Sequence, residues 1–138
     1  MNFHFPGEIL GVRPSNDFLK IGILIRKGLP LYCLKRFREF SGASEAEVRH
    51  ILWMTEADLQ NRERRRRLSS RESDRLFSAV KILTDAYIFF KEGINAKKAV
   101  IDFLHRPLAP DFPLPPIRLM GTEAGRGMDS KKSIAVYL

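Results

Sequence analysis

The first fourteen residues of the chain contain Pro6, Gly7, Gly11 and Pro14 and no sustained apolar period, so residues 1–14 read as an irregular N-terminal arm. Beyond them apolar residues return every third or fourth position, the period of a helix. Ser15 or Asn16 can cap a first helix with Phe18, Ile21 and Ile25 on one stripe, stopped by Gly28 ahead of Leu29-Pro30. A second starts near Leu31, spaces Leu34, Phe37 and Phe40 along one side, and ends at Ser41-Gly42. Ser44-Glu45-Ala46-Glu47 has the spacing of a capping box, in which serine accepts an orphan backbone N–H and glutamate reaches back to the cap. That helix turns Val48, Ile51 and Leu52 inward and breaks near Trp53-Met54. Thr55-Glu56-Ala57-Asp58 starts another at once, which buries Leu59 and runs into arginines.

Ser69-Ser70-Arg71-Glu72 is a further capping box. It opens the longest helix, with Leu76, Val80, Leu83, Tyr87 and Phe90 forming a seam for either the internal core or a dimer partner. Gly93 ends it, and Asn95 can cap a helix that buries Ala99, Val100, Phe103 and Leu104 before Pro107. Five prolines between Pro107 and Pro116 predict an extended segment without regular helix, and Thr122 can cap a short final helix carrying Met128 and Ile134.

An apolar share of 44% in 138 residues suits a packed globular chain of one domain or two small helical modules. No apolar run approaches the roughly 20 residues of a membrane span, and the N-terminus lacks the pattern of a secretion signal, so a cytoplasmic protein is expected. Cys33 has no second cysteine to pair with and reads as an apolar filler; His4, His50 and His105 are too scattered for a metal site. No cofactor is expected either, since neither a phosphate-binding loop nor a dinucleotide fingerprint is present. Catalysis is not expected, because no nucleophile–base or paired-carboxylate pattern is signalled.

Charge changes the picture. The formal net charge is +8, and Arg62, Arg64, Arg65, Arg66, Arg67, Arg71 and Arg75 fall within fourteen residues broken by three acids. Such a surface favours polyanions through counterion release. Two short helices joined by about three residues, with the arginines after the second, fit a helix-turn-helix whose second helix begins at Glu56 and enters the major groove. Leu59 must face inward, which turns Gln60, Asn61 and Arg64 outward toward base edges. Arg62, Arg65, Arg66 and Arg67 would neutralise phosphates. The alternative is a helix pair that serves assembly alone, with Glu56 and Asp58 there to stabilise the helix dipole.

The ordered segments resemble a known family, the Xre/MbcA/ParS-type antitoxins that pair with RES-type toxins. Arg67-Leu68-Ser69-Ser70-Arg71-Glu72-Ser73-Asp74-Arg75-Leu76 is similar to the family's R-L-S-x-x-E-S-x-R-L junction. Gly28-Leu29-Pro30 and Leu59-Gln60-Asn61-Arg62 resemble its Gly-Leu-Pro element and its L-x-R-R helix, with Asn61 where arginine is usual. Ala99 with Phe103-Leu104-His105-Arg106-Pro107 resembles A-x-x-W-L-x-x-P, with phenylalanine for tryptophan; Pro113-Leu114 and Thr122-Glu123-Ala124-Gly125 resemble the P-L and T-E-x-G elements. After that the polar stretch from Arg126 to Lys132 departs from the family's amphipathic helix, leaving Ser133 to Leu138 as the only apolar tail.

The resemblance implies an all-α chain. An Xre-like helix-turn-helix bundle over 15–67 would be followed by a small toxin-binding domain over 68–138, with its Pro-rich loop and C-terminal tail. The implied role is an antitoxin that neutralises an NAD-acting RES-type toxin and represses its own operon, with the toxin, operator DNA and a second copy of the chain as partners. The toxin-binding surface is expected at Pro107, Phe112, Leu114, Thr122, Glu123, Gly125, Tyr137 and Leu138. Two alternatives stand beside it. One is a stand-alone helix-turn-helix regulator that has lost toxin binding; the other is an interaction protein whose basic surface reads no specific DNA.

Overall fold

The computed structural model describes residues 3–91, 95–107 and 114–122. These form eight helices: α1 (Pro6–Leu10), α2 (Phe18–Lys27), α3 (Leu31–Ser41), α4 (Glu45–Leu52), α5 (Glu56–Arg65), α6 (Ser70–Phe89), α7 (Ala96–Leu104) and α8 (Pro116–Leu119). Among the described residues the sole β-type pairing is an isolated antiparallel bridge between Pro30 and Arg67. The all-helical expectation therefore holds.

The local starts and stops follow from the caps. Ser44, Thr55 and Ser69 each accept the N–H of the third helical residue, while Glu47, Asp58 and Glu72 accept the N–H of the cap residue. Asp17, rather than Ser15 or Asn16, caps α2 by accepting the Lys20 N–H at 3.1 Å. Gly42 ends α3 in the left-handed conformation. α8 begins inside the proline-rich stretch because Pro116 occupies a first-turn position, where a missing N–H costs nothing.

α6 is the axis of the bundle, packed against α1, α2, α3, α4 and α7; α7 also lies on α3, and α8 on α4 and α7. Its stripe of Leu76, Val80, Leu83 and Tyr87 is at most 1% exposed, so the seam serves the internal core. Each such side chain contributes roughly 1.5–3 kcal/mol by leaving water. Tyr87 also donates its hydroxyl to the Phe40 carbonyl at 2.6 Å, and its ring meets Phe3 and Phe40 edge-on.

Three expectations need revision. The N-terminal segment is not an irregular arm: α1 buries Pro6, Gly7, Ile9 and Leu10 against α3 and α6, and Arg36 donates to the Ile9 and Glu8 carbonyls that the short helix leaves open. Phe18 is 57% exposed, because Ile21, Leu24 and Ile25 supply the inward stripe of α2 and leave Phe18 at the rim, edge-on to Phe77. Finally, buried residues from Ile9 to Met120 belong to one hydrophobic cluster. The described residues on both sides of the expected division at 67/68 thus share a core.

That division instead marks a stitch. Leu68 N donates to Leu29 O at 2.9 Å and Leu31 N to Arg66 O at 3.0 Å, tying the α2–α3 link to the α5–α6 link. The buried Leu29 N–H donates to the Ser73 hydroxyl at 2.7 Å, which in turn donates to Ser69 O at 2.7 Å. Gly28 has φ +96°, and a Cβ there would run into the Leu68 carbonyl. Only glycine satisfies both constraints.

Two outcomes follow. Ser73→Ala leaves the Leu29 donor buried without a partner and should destabilise the fold by about 1–3 kcal/mol in urea denaturation; an unchanged midpoint would mean that the stitch contributes nothing. Burial pushes the Cys33 thiol up to about 12, against the opposing charge of Arg36, so a thiol reagent at mildly alkaline pH should label the protein only after it is unfolded.

Candidate nucleic-acid interface

α4 and α5 are short helices separated by Trp53, Met54 and Thr55. Leu59 is buried, as expected for the inward side of α5, and Gln60, Arg64, Arg65, Arg66 and Arg67 are exposed while Asn61 and Arg62 are half-buried. The arginines do not share one environment. Arg62 Nε pairs with Glu72 Oε1 at 2.7 Å, its Nη1 donates to Asn61 Oδ1 at 2.8 Å, and Glu72 is only 6% exposed. Glu72 also accepts the Ser69 N–H, so one carboxylate closes the α6 cap and holds α5 in place.

Arg67 donates to the Gly28 carbonyl at 3.1 Å, and Arg66 takes the left-handed conformation that ends α5. Arg62 and Arg67 therefore have structural work in addition to any phosphate contact. Arg64 and Arg65, with Gln60 and the acids Glu56 and Glu63, are exposed on α5 without such partners among the described contacts.

A cleft of about 280 Å³ opens beside this face, lined by Lys27, Arg62, Arg65, Arg67, Leu68 and Ser69. Its four cationic side chains come from the end of α2, from α5 and from the stitched junction. Lys27 was not among the expected site residues; the usable signal was its place next to Gly28, whose pairing with the Arg67–Leu68 segment brings it to the arginines. A row of cations around a solvent-open cleft favours an anion, and phosphate oxygens above all.

The turn between α4 and α5 carries a second unanticipated feature. Trp53 has φ +55°, where glycine or asparagine is usual, and its ring stacks on the Arg75 guanidinium at 3.8 Å from the ring centroid. The indole N–H donates to the Gly121 carbonyl at 2.7 Å, and Arg75 donates to Leu52 O at the end of α4. Gly121 lies so close to α4 that a Cβ would sit 2.8 Å from His50 O. The turn is thus fastened to α6 on one side and to the segment after α8 on the other.

Of the residues expected to bind a toxin, Pro107 and Leu114 are exposed and Thr122 is half-buried, its hydroxyl donating to Leu119 O at 2.8 Å. Thr122 follows Gly121 and so stands beside the α4–α5 turn. Phe112, Glu123, Gly125, Tyr137 and Leu138 lie outside the described residues, as does the helix expected after Thr122. Phe103 and Leu104 are buried in the common core.

The docking of the turn is measurable because Trp53 is the single tryptophan. Gly121→Val should push the segment off α4, remove the indole's partner and shift Trp53 emission to longer wavelength; an unchanged spectrum with an intact fold would contradict the contact.

No protein-family model and no curated protein matches this chain.

Proposed function

We propose that the chain is a DNA-binding antitoxin, whose α4–α5 pair acts as a helix-turn-helix and whose C-terminal surface holds a RES-type toxin. The observation that carries the DNA half is the outward face of α5, where Gln60, Arg64 and Arg65 are exposed and Arg65 joins Lys27, Arg62 and Arg67 around the cleft. Gln60 suits an adenine edge and Arg64 a guanine edge, while Arg65 and Lys27 meet phosphates. Arg62 acts from behind: paired with Glu72, it sets the pitch of α5.

The antitoxin half rests on the ordered resemblance, and the geometry gives that resemblance a physical sense. The recognisable positions of the junction each hold part of the fold together. Leu68 and Leu76 fill the core, Ser69 and Glu72 cap α6, Ser73 holds Leu29, and Arg75 stacks on Trp53. On this reading Pro107, Leu114 and Thr122 border the toxin, and the chemistry on NAD belongs to that partner. The polar stretch from Arg126 to Lys132 favours a second reading, a regulator without a toxin.

Co-expression with the product of the neighbouring reading frame separates the two: rescue of growth and a stable complex are expected for an antitoxin, operator binding alone for a regulator. In anisotropy titrations over a salt series, Arg65→Ala should weaken binding to promoter and random duplexes alike and flatten the salt slope by about one. Gln60→Ala should instead narrow the preference for promoter over random DNA. Wild-type protein that shows no salt-dependent affinity for either duplex would defeat the DNA reading.

A further inference from the structure

The outward side of α2 is apolar where an exposed helix face is ordinarily polar. Ile21 is buried and Leu24 and Ile25 pack inward, which leaves Leu19, Ile23 and Lys27, each four residues from the last, as one row along the outer side. Leu19 is 76% exposed and Ile23 48%. Phe18 stands at the edge of α2, against Phe77 of α6, and an added Cβ at Gly22 would meet nothing within 4 Å, so no neighbouring element overhangs the helix there. The row is an open ridge.

Cations surround that ridge. Lys20 lies along one flank, Arg26 along the other, and Lys27 ends the row, all three exposed. Asp17 is the one acid between residues 17 and 27, and it accepts the Lys20 N–H as the helix cap. Lys27 also lines the cleft with Arg62, Arg65 and Arg67, so the apolar row runs directly into that group of cations. On the other side, beyond Phe18, the charge is mixed: Phe77 shares its side of α6 with Lys81, Asp74 and Asp85. The cationic, apolar surface is α2 and the cleft to which it leads.

We infer that this surface docks on an anionic lipid bilayer, with α2 lying in the plane of the headgroups. Leu19 and Ile23 enter the acyl boundary, Lys20 and Arg26 reach lipid phosphates beside the helix on their long stems, and Lys27 with Arg65 holds further headgroups. Charge complementarity favours this occupant: three cations against one acid on α2, continued by the cleft, fit the negative cytoplasmic leaflet. Shape agrees with it, since a fluid bilayer accepts a convex ridge, whereas a protein partner would have to bring a groove made to fit. The attachment is peripheral, because no helix among the described residues is long and apolar enough to cross a membrane. The inference does not rest on the DNA reading; if both hold, bilayer and duplex compete for Lys27 and Arg65.

Flotation of the full chain with phosphatidylcholine vesicles, with and without phosphatidylglycerol, tests it. Binding should require phosphatidylglycerol and weaken as salt rises. A chain of net charge +8 adsorbs to many anionic surfaces, so the deciding variant keeps every charge. Leu19→Ser with Ile23→Ser changes two exposed positions and should weaken vesicle binding at least about tenfold, with an unchanged circular dichroism spectrum. Arg26→Gln should weaken it about fivefold. A second readout follows depth of insertion: Ile23→Cys, labelled with an environment-sensitive dye while Cys33 stays buried, should emit at shorter wavelength on addition of the anionic vesicles and not on addition of inorganic phosphate or glycerol phosphate. Wild-type protein that ignores the anionic vesicles overturns the inference and leaves the face to a protein partner. Serine-variant binding equal to wild type overturns it too, as adsorption by charge alone. A dye already shifted in the free protein does the same, because the face is then covered by a second copy or by the chain's own tail.

Discussion

The backbone N–H of Leu29 lies in the core between two helices, at a point where neither α2 nor α3 can accept it. An orphan donor there would cost about 1–3 kcal/mol, more than a typical hydrogen bond returns net. The Ser73 hydroxyl removes that cost, and because Ser73 is one turn into α6, the solution fixes how the longest helix lies against the α2–α3 link. The backbone pairing of Leu29 with Leu68 and of Leu31 with Arg66 follows the same line, and Gly28 permits it by having no Cβ. The rest of the arrangement, including the placement of α5, depends on this join.

From that join the basic surface can be built outward. Leu59 anchors the inner side of α5, and Arg62 spends its charge on Glu72 at the root of α6, so the helix is held at both its apolar and its polar inner edge. What remains outward includes Gln60 and the arginines beyond, with Glu56 and Glu63 among them and Lys27 brought alongside by the Gly28 contact. Charge repulsion among so many cations is tolerated because the held guanidinium is neutralised and the others face water. Trp53 adds a link from this surface to the start of the C-terminal segment, since one indole joins the turn before α5 to the carbonyl of Gly121.

Much of this was legible in the chain. The capping boxes at Ser44, Thr55 and Ser69 are local chemistry, complete within four residues, and they located three helix starts. The seam of α6 was legible for the same reason, although its destination was not: an apolar stripe states that something covers it without stating what. Residues 1–14 read as an irregular arm because α1 is too short to show a period, and its stability comes from distant partners such as Arg36. The structural contacts of Arg62 and Arg67 were not legible, because sequence shows their charge and hides Glu72 and Gly28 O, which lie across the junction. Lys27 was missed for the mirror reason, and a shared core across residue 67 could not be inferred from two capped segments.

Amide hydrogen exchange resolved by residue gives the most direct view of the join. If it is the point on which the bundle is organised, the Leu29 and Leu68 amides should exchange only through global unfolding, as slowly as Leu83 at the centre of α6, although neither of the first two lies in a helix. Exchange of Leu29 and Leu68 at the rate of an open loop, while Leu83 stays protected, would contradict it.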